Sequence, residues 1–236
     1  MGRPIGILCP CEGEFKPYEE AFKEETRKSK AGLTFLEGTI AGTQAVFVVS
    51  GVCKVNAALA AQMMIDMYEV RFLINSGTAG GMARHVGLLD TVVSTEICYH
   101  DVNPVNLVEL YPFMAAKTPY FKADEKLLQA ARIAAERHPF TQKIHFGRMA
   151  TGEKFVVDKE RKEINEQFSP LCADMETAAV AHTCYVNKVP FIAVRSITDT
   201  EEHSGVDNCE ANFLAAAKLS KEFVVQLLQE ISTNNL

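Results

Sequence analysis

The chain has 236 residues, 47% of them hydrophobic, and a formal net charge of −6. That is enough apolar material for one sizeable core and a single domain over residues 1–236, with too few clustered cations for a nucleic-acid surface or an anionic membrane. No run reaches transmembrane length, and the apolar run after Met1 is too short for a signal peptide, so a cytoplasmic protein is expected.

In chain order, residues 4–8, 33–40 and 45–49 read as strands, followed by a helical pattern over 55–68. A strand at 72–75 leads into Asn75-Ser76-Gly77-Thr78-Ala79-Gly80-Gly81, with further strands at 91–99 and 144–149 around a helix at 125–136. Residues 101–123 hold three prolines, few charges and no clear period. They predict a long loop of the kind that covers a site or a partner. A helix at 177–187, a strand at 191–196 and a last helix at 211–231 complete the order; in the last, Phe213, Leu214, Ala217, Val224, Leu227, Leu228 and Ile231 share roughly one face. Strands mixed with helices predict an α/β class, a three-layer α/β/α domain around a central mixed β-sheet.

Seven cysteines, at 9, 11, 53, 98, 172, 184 and 209, form no repeated C-x-x-C pair and lie mostly in apolar surroundings. Reduced, buried thiols are expected. Cys9-Pro10-Cys11 has no second pair with His to complete a tetrahedral site, so no metal is expected, and His100 and His182 read as satisfied structural residues. The glycine cluster lets backbone amides approach a ligand, but it is not a G-x-G-x-x-G opening a helix. The chain runs on through Met82 to a strand-like segment at 88–93, which argues against a dinucleotide cofactor. A tight turn between strands fits the same glycines. Gly152-Glu153-Lys154 lacks the flanking residues of a P-loop.

Polar residues stand at the edges of apolar runs in Ala173-Asp174-Met175-Glu176-Thr177 and Arg195-Ser196-Ile197-Thr198-Asp199. Charge there is costly unless paired, solvated or used. Asp174 fits the N-cap of the 177–187 helix and Glu176 its first turn; Asp199 and Glu201 fit loop charges, and Glu12 and Glu14 a solvated turn. Arg195, ending an apolar strand, is expected to meet a buried carboxylate or a ligand oxygen.

Taken together and in order, several motifs resemble 5'-methylthioadenosine/S-adenosylhomocysteine nucleosidase, of the nucleoside phosphorylase superfamily. They are the Glu-x-Glu after the first strand, Ser50-Gly51-Val52-Cys53-Lys54-Val55-Asn56-Ala57-Ala58, the glycine cluster, Tyr99-His100-Asp101, Thr151-Gly152-Glu153-Lys154-Phe155, Asp174-Met175-Glu176-Thr177-Ala178 and Arg195-Ser196-Ile197-Thr198-Asp199. The likeness spans nearly the whole chain. It implies a cytoplasmic homodimer, without metal or cofactor, whose partner molecule is an adenine nucleoside cleaved by water between the base and C1' of the ribose. Adenine leaves poorly until N7 is protonated, and its departure puts positive charge on the sugar. By resemblance Asp199 would donate to N7, Glu14 would orient and deprotonate the water, and Arg195 would hold the water and the carboxylates. Glu176 would bind the ribose hydroxyls, Phe155 would stack on the adenine, the Val156 backbone would read its edge, and Met175 would pack on the ribose. Thr78, Ala79 and Gly80 would line the pocket, and Thr198 completes the implied substrate-binding set.

Phosphorylases of the superfamily usually carry an arginine at or beside Asn75, and a phosphate loop where this chain has Cys9-Pro10-Cys11-Glu12-Gly13-Glu14. Two carboxylates there would repel phosphate, which favours hydrolysis over the alternatives of a phosphate-dependent purine nucleoside phosphorylase or a noncatalytic nucleoside-binding protein. The chain departs from the family in the loop Val102-Asn103-Pro104-Val105-Asn106-Leu107, which in relatives reaches a neighbouring subunit's 5'-substituent pocket. It departs again at Asn208-Cys209-Glu210-Ala211, which lacks the usual aromatic residue. A polar Glu210 there predicts tolerance of a more polar 5'-substituent.

Overall fold

The computed structural model describes residues 2–103, 105–106 and 118–233. β1 (Ile5–Cys9) is apolar and buried along its whole length, as a strand covered on both faces requires. It pairs in parallel with β4 (Thr43–Val49) on one side and β5 (Leu73–Gly81) on the other. Antiparallel β3 (Leu33–Ile40) and β2 (Phe22–Lys30) carry the sheet from β4 to an edge. β2 is absent from the sequence reading because FKEETRKSK has no apolar alternation, and only Phe22 in it is buried. Charges along such an edge strand discourage pairing with other chains.

On the far side of β5 the sheet curls. β10 (Phe191–Asp199) pairs in parallel with β5 and antiparallel with β6 (Thr91–Tyr99). β6 runs parallel to β8 (Ile144–Thr151), β8 parallel to β9 (Cys172–Asp174), and β9 returns antiparallel to β5. Five strands thus close a ring, with β7 (Phe121–Lys122) added to β6. The central mixed sheet is the one expected; the ring is not legible in the sequence, because each strand's partners are set by long-range packing.

Helices cover both faces, giving the expected three layers. α2 (Lys54–Tyr68) and α5 (Thr177–Asn187) lie together on one face, where Ala57, Ala60, Ala61, Ala178, Ala179 and Ala181 allow close approach to the sheet. α3 (Glu125–Arg137) and α6 (Val206–Thr233) cover the other with Leu127, Leu128, Phe223, Val224 and Leu227. The Asp124 carboxylate caps α3, accepting from the amides of Lys126 at 3.0 Å and Leu127 at 3.1 Å. Among the described residues two further helices lie outside the expected set, besides the helical residues 105–106 within the expected loop. The short α1 (Glu12–Phe15) follows β1, and α4 (Asp158–Phe168) has the sequence DKERKEINEQF, whose apolar content is too sparse for a clear period. α6 begins five residues before the expected 211. The expected loop at 101–123 contains β7, and residues 104 and 107–117, on which the reach to a neighbouring subunit depends, lie outside the described residues.

Candidate active site

β5 carries the site. It is strand to its last residue, not the tight turn that its glycines also allow, and its glycines supply space. A Cβ at Gly77 would sit 2.5 Å from Glu14 Oε1 and 2.8 Å from Arg195 Nη1; one at Gly80 would sit 3.1 Å from Asp199 Oδ2. Two stations three residues apart on one strand, roughly 10 Å by the rise of a strand, therefore each admit an ionisable side chain. Gly77→Ala is expected to push Glu14 from its seat and lower kcat/KM by on the order of 100-fold, the penalty for about 1 Å of misplacement. Steady-state kinetics check this, and unaltered activity would contradict the assigned seat of Glu14.

Glu14 is not on a solvated turn. It lies in α1 and is 3% exposed, whereas Glu12 is exposed. The Thr78 amide donates to Oε1 at 2.7 Å and the Thr78 hydroxyl at 3.0 Å. Oε2 faces the Cys11 thiol at 3.6 Å, a weak donor, so this oxygen is the one available to a water. Burial pushes the Glu14 pKa up, opposed by Arg195 and by the donors of Thr78. Glu14 in turn adds to the burial that raises the Cys11 thiol to about 11.

Arg195 lies inside β10 rather than at its end, and it meets carboxylates as expected. Its Nε is 3.1 Å from Asp174 Oδ2, its Nη2 is 2.6 Å from Asn75 Oδ1 and 3.1 Å from Glu176 Oε2, and its Nη1 is 3.1 Å from the Thr78 carbonyl and 3.8 Å from Glu14 Oε1. Burial works against its charge, but Asp174, Glu176 and Glu14 outweigh it and hold the guanidinium above its ordinary pKa. One arginine stands among three carboxylates, an environment suited to positive charge on a bound ligand.

The two acids before α5 divide their work. The N-cap is Glu176, not Asp174. Asp174 nevertheless caps the helix through its side chain, Oδ1 accepting from the Thr151 hydroxyl at 2.6 Å and from the amides of Thr177 at 3.1 Å and Glu176 at 3.3 Å. Its oxygens are thereby committed to structure. Glu176 points elsewhere, Oε1 accepting from the Cys53 amide at 2.9 Å. Cys53 is a non-glycine residue at φ +83° that caps α2, a costly conformation that aims the amide at the helix N-terminus towards a carboxylate. Burial raises the Glu176 pKa, with Arg195 opposing and Asp174 adding to the rise.

At the second station, one extra residue on β10 between Ile197 and Asp199 sets Asp199 opposite Gly80. Asp199 is buried strand, not a loop charge, whereas Glu201 is exposed. The Thr198 hydroxyl donates to Asp199 Oδ1 at 2.9 Å, and Arg161 Nη2 lies 3.3 Å from Oδ2. Burial raises the Asp199 pKa, opposed by the Thr198 hydroxyl and by Arg161.

A cavity of about 250 Å³ joins the two stations. The catalytic and substrate-binding residues implied by the resemblance all line it: Glu14, Thr78, Ala79, Gly80, Phe155, Val156, Met175, Glu176, Arg195, Thr198 and Asp199. Sequence reasoning missed Arg161, Val52, Cys209 and Phe213, which line it as well. The expectation from Glu210 is corrected: Glu210 is exposed and lies outside the lining. Phe213, one turn later on α6, supplies an aromatic wall in the space that a Cβ on Gly13 would otherwise enter, 2.5 Å from its ring. Val52 adds a second apolar wall, so Glu210 gives a polar 5'-substituent no contact at this lining.

Other matched motifs join at the rim. Asp101 accepts from Lys54 Nζ at 2.7 Å and from the Glu153 amide at 2.9 Å, while Glu153 accepts from the Lys54 amide at 3.2 Å. The chain ends of β6 and β8 are thereby clasped to the start of α2. His100 is packed against Gly152, but its Nε2 has no hydrogen-bond partner among the described residues, so it is not the satisfied residue expected. His182 is stacked on Phe121, with Tyr99 Oη 3.3 Å from its Nδ1.

Known proteins resemble this chain over nearly its whole length. A family model described as the phosphorylase superfamily matches residues 4–231. The 5'-methylthioadenosine/S-adenosylhomocysteine nucleosidase of Bacillus thuringiensis (strain Al Hakam) is 31% identical over 229 residues, covering 96% of this chain and 99% of its own. The crystal structure of such a nucleosidase from Colwellia psychrerythraea 34H in complex with adenine superimposes with a TM-score of 0.87 at 30% identity, covering 98% of this chain and 96% of that one. A futalosine hydrolase of Helicobacter pylori strain 26695 superimposes with a TM-score of 0.85 at 27% identity, covering 97% and 98%. The chain therefore belongs to the phosphorylase superfamily and, within it, to the 5'-methylthioadenosine/S-adenosylhomocysteine nucleosidases.

Proposed function

We propose that this protein is an N-glycosidic hydrolase that converts 5'-methylthioadenosine and S-adenosylhomocysteine into adenine and a 5-substituted ribose. The observation that carries the reading is a single cavity with Glu14 at one station of β5 and Asp199 at the other, both buried and both raised in pKa by burial. In this reading the Asp199 carboxyl passes its proton to N7 of adenine. The bond between N9 and C1' breaks with its electron pair going to the base. A water on Glu14 Oε2 forms the new bond to C1' and gives its proton to that carboxylate. Glu176, fixed by the Cys53 amide and Arg195, accepts from the ribose hydroxyls. Phe155 stacks on the base, Val156 reads its edge through the backbone, Met175 packs on the sugar, and Thr78, Ala79, Gly80 and Thr198 complete the walls.

Water is favoured over phosphate because the lining cations are occupied or exposed. Arg195 is tied to carboxylates, Arg161 contacts Asp199, and Lys154 is exposed. The expected result is adenine release from 5'-methylthioadenosine at a rate that inorganic phosphate does not change. Release that requires phosphate and yields a sugar 1-phosphate would make the protein a phosphorylase; tight binding without release would make it a binding protein.

The same reading takes the protein as a cytoplasmic homodimer of single-domain subunits. Support comes from Val55 and Leu59, 68% and 57% exposed on α2 beside the rim residue Val52 at 44%, an apolar face suited to a second subunit.

A further inference from the structure

Arg161 is a buried cation that the reaction as written leaves without a task. It stands on α4, and its side chain is 2% exposed. Its guanidinium reaches over the end of β5, where Nη1 donates to the Gly81 carbonyl and lies 3.4 Å from Met82 Sδ, and Nη2 lies 3.3 Å from Asp199 Oδ2. Its Nε has no hydrogen-bond partner among the described residues. Asp199 is the one carboxylate within ion-pairing distance of it among the described residues. Burying a guanidinium is costly unless it is paired, so the charge is held where it is for the sake of that carboxylate.

We propose that Arg161 is a positioning residue for the proton donor: it fixes Asp199 Oδ2 and takes up the negative charge that Asp199 acquires as its proton passes to N7 of the base. The proposal rests on the reading of Asp199 as the acid. Before transfer Asp199 is neutral and Arg161 has only the Gly81 carbonyl and a dipole to face. After transfer the pair is ionic at short range between two buried side chains, so the interaction strengthens along the reaction and assists the step. Thr198 plays the matching part on Oδ1, donating a hydrogen bond at 2.9 Å. Among the described residues the other titratable group near Asp199 is the Cys209 thiol on α6, whose pKa burial raises; a thiol adds no positive charge, which leaves Arg161 as the cation that sets the strength of the acid.

Asp199 works only while protonated, so its titration appears as the alkaline limb of the kcat/KM profile. Arg161 favours the carboxylate and holds that limb down. Arg161→Met is expected to move the alkaline limb up by about one pH unit, as removal of a close opposite charge does, while kcat falls about tenfold because the acid is weaker. Arg161→Lys, which keeps the charge, is expected to restore the limb to near its wild-type position. The experiment is the pH profile of adenine release from 5'-methylthioadenosine for wild type and both variants, with thermal unfolding alongside. If Arg161→Met fails to fold, Arg161→Gln, which keeps a donor for the Gly81 carbonyl, is read in the same way. A limb that stays put or moves down in the neutral variant overturns the proposal while leaving the hydrolase reading intact. Absence of adenine release by the wild type overturns both.

Discussion

Asp199→Asn is expected to lower kcat on 5'-methylthioadenosine by about 10²–10⁴-fold, the range over which positioned acid–base groups act. An asparagine keeps the shape of the side chain and an acceptor for the Thr198 hydroxyl, so the strand, the bulge and the cavity wall survive and adenine still binds. What is lost is the proton. Adenine then departs as an anion in a cavity already crowded with carboxylates, the least favourable place for it. Stopped-flow or chromatographic adenine release gives the rate, and a thermal melt close to that of the wild type separates chemistry from unfolding. Turnover near the wild-type rate would remove Asp199 as the donor.

The second large effect is at the other station. Glu14→Gln is expected to lower kcat by a similar factor, about 10²–10⁴-fold, with adenine affinity changed little because Glu14 lies at the Gly77–Thr78 end of β5 and not at Gly80. The pH dependence carries the signature. Glu14 must be ionised to accept a proton from water, and burial raises its pKa. The acid limb of the wild-type kcat/KM profile therefore lies above the range of an exposed glutamate, and activity falls as the pH drops through it. In the glutamine variant the residual activity has no such limb. A variant that keeps both the rate and the limb would show that another group activates the water.

The sequence was informative wherever local chemistry conflicts with its surroundings. Arg195 in an apolar strand requires a partner whatever the fold, and it has three carboxylates. Asp174 before α5 is legible as a cap because side chains of its type satisfy helix amides over two or three residues. Glu14, Glu176 and Asp199 are each ambiguous taken singly, since a turn, a cap and a loop explain them as well; it is their order along the chain, together with the glycine cluster, that carries the family resemblance. Locally Gly77 fits a turn or a ligand contact equally well, whereas in the fold it makes room for two side chains contributed by β10 and α1, a long-range fact. Arg161 was hidden for the opposite reason to Arg195. It stands in a run of charges that reads as a solvated helix face, and only the packing of α4 across the end of β5 turns it inward. Phe213 shares the apolar stripe of the last helix, and only the packing of α6 against Gly13 shows that this end of the stripe faces the cavity.

The proposed reaction has water attack the sugar at Glu14 while Asp199 protonates the base. Running it with 5'-methylthioadenosine in water labelled with heavy oxygen, with phosphate present, and weighing the sugar product separates water from phosphate as the nucleophile. Label retained at C1' of a free sugar, alongside stoichiometric adenine, is the predicted result. An unlabelled sugar 1-phosphate would contradict it.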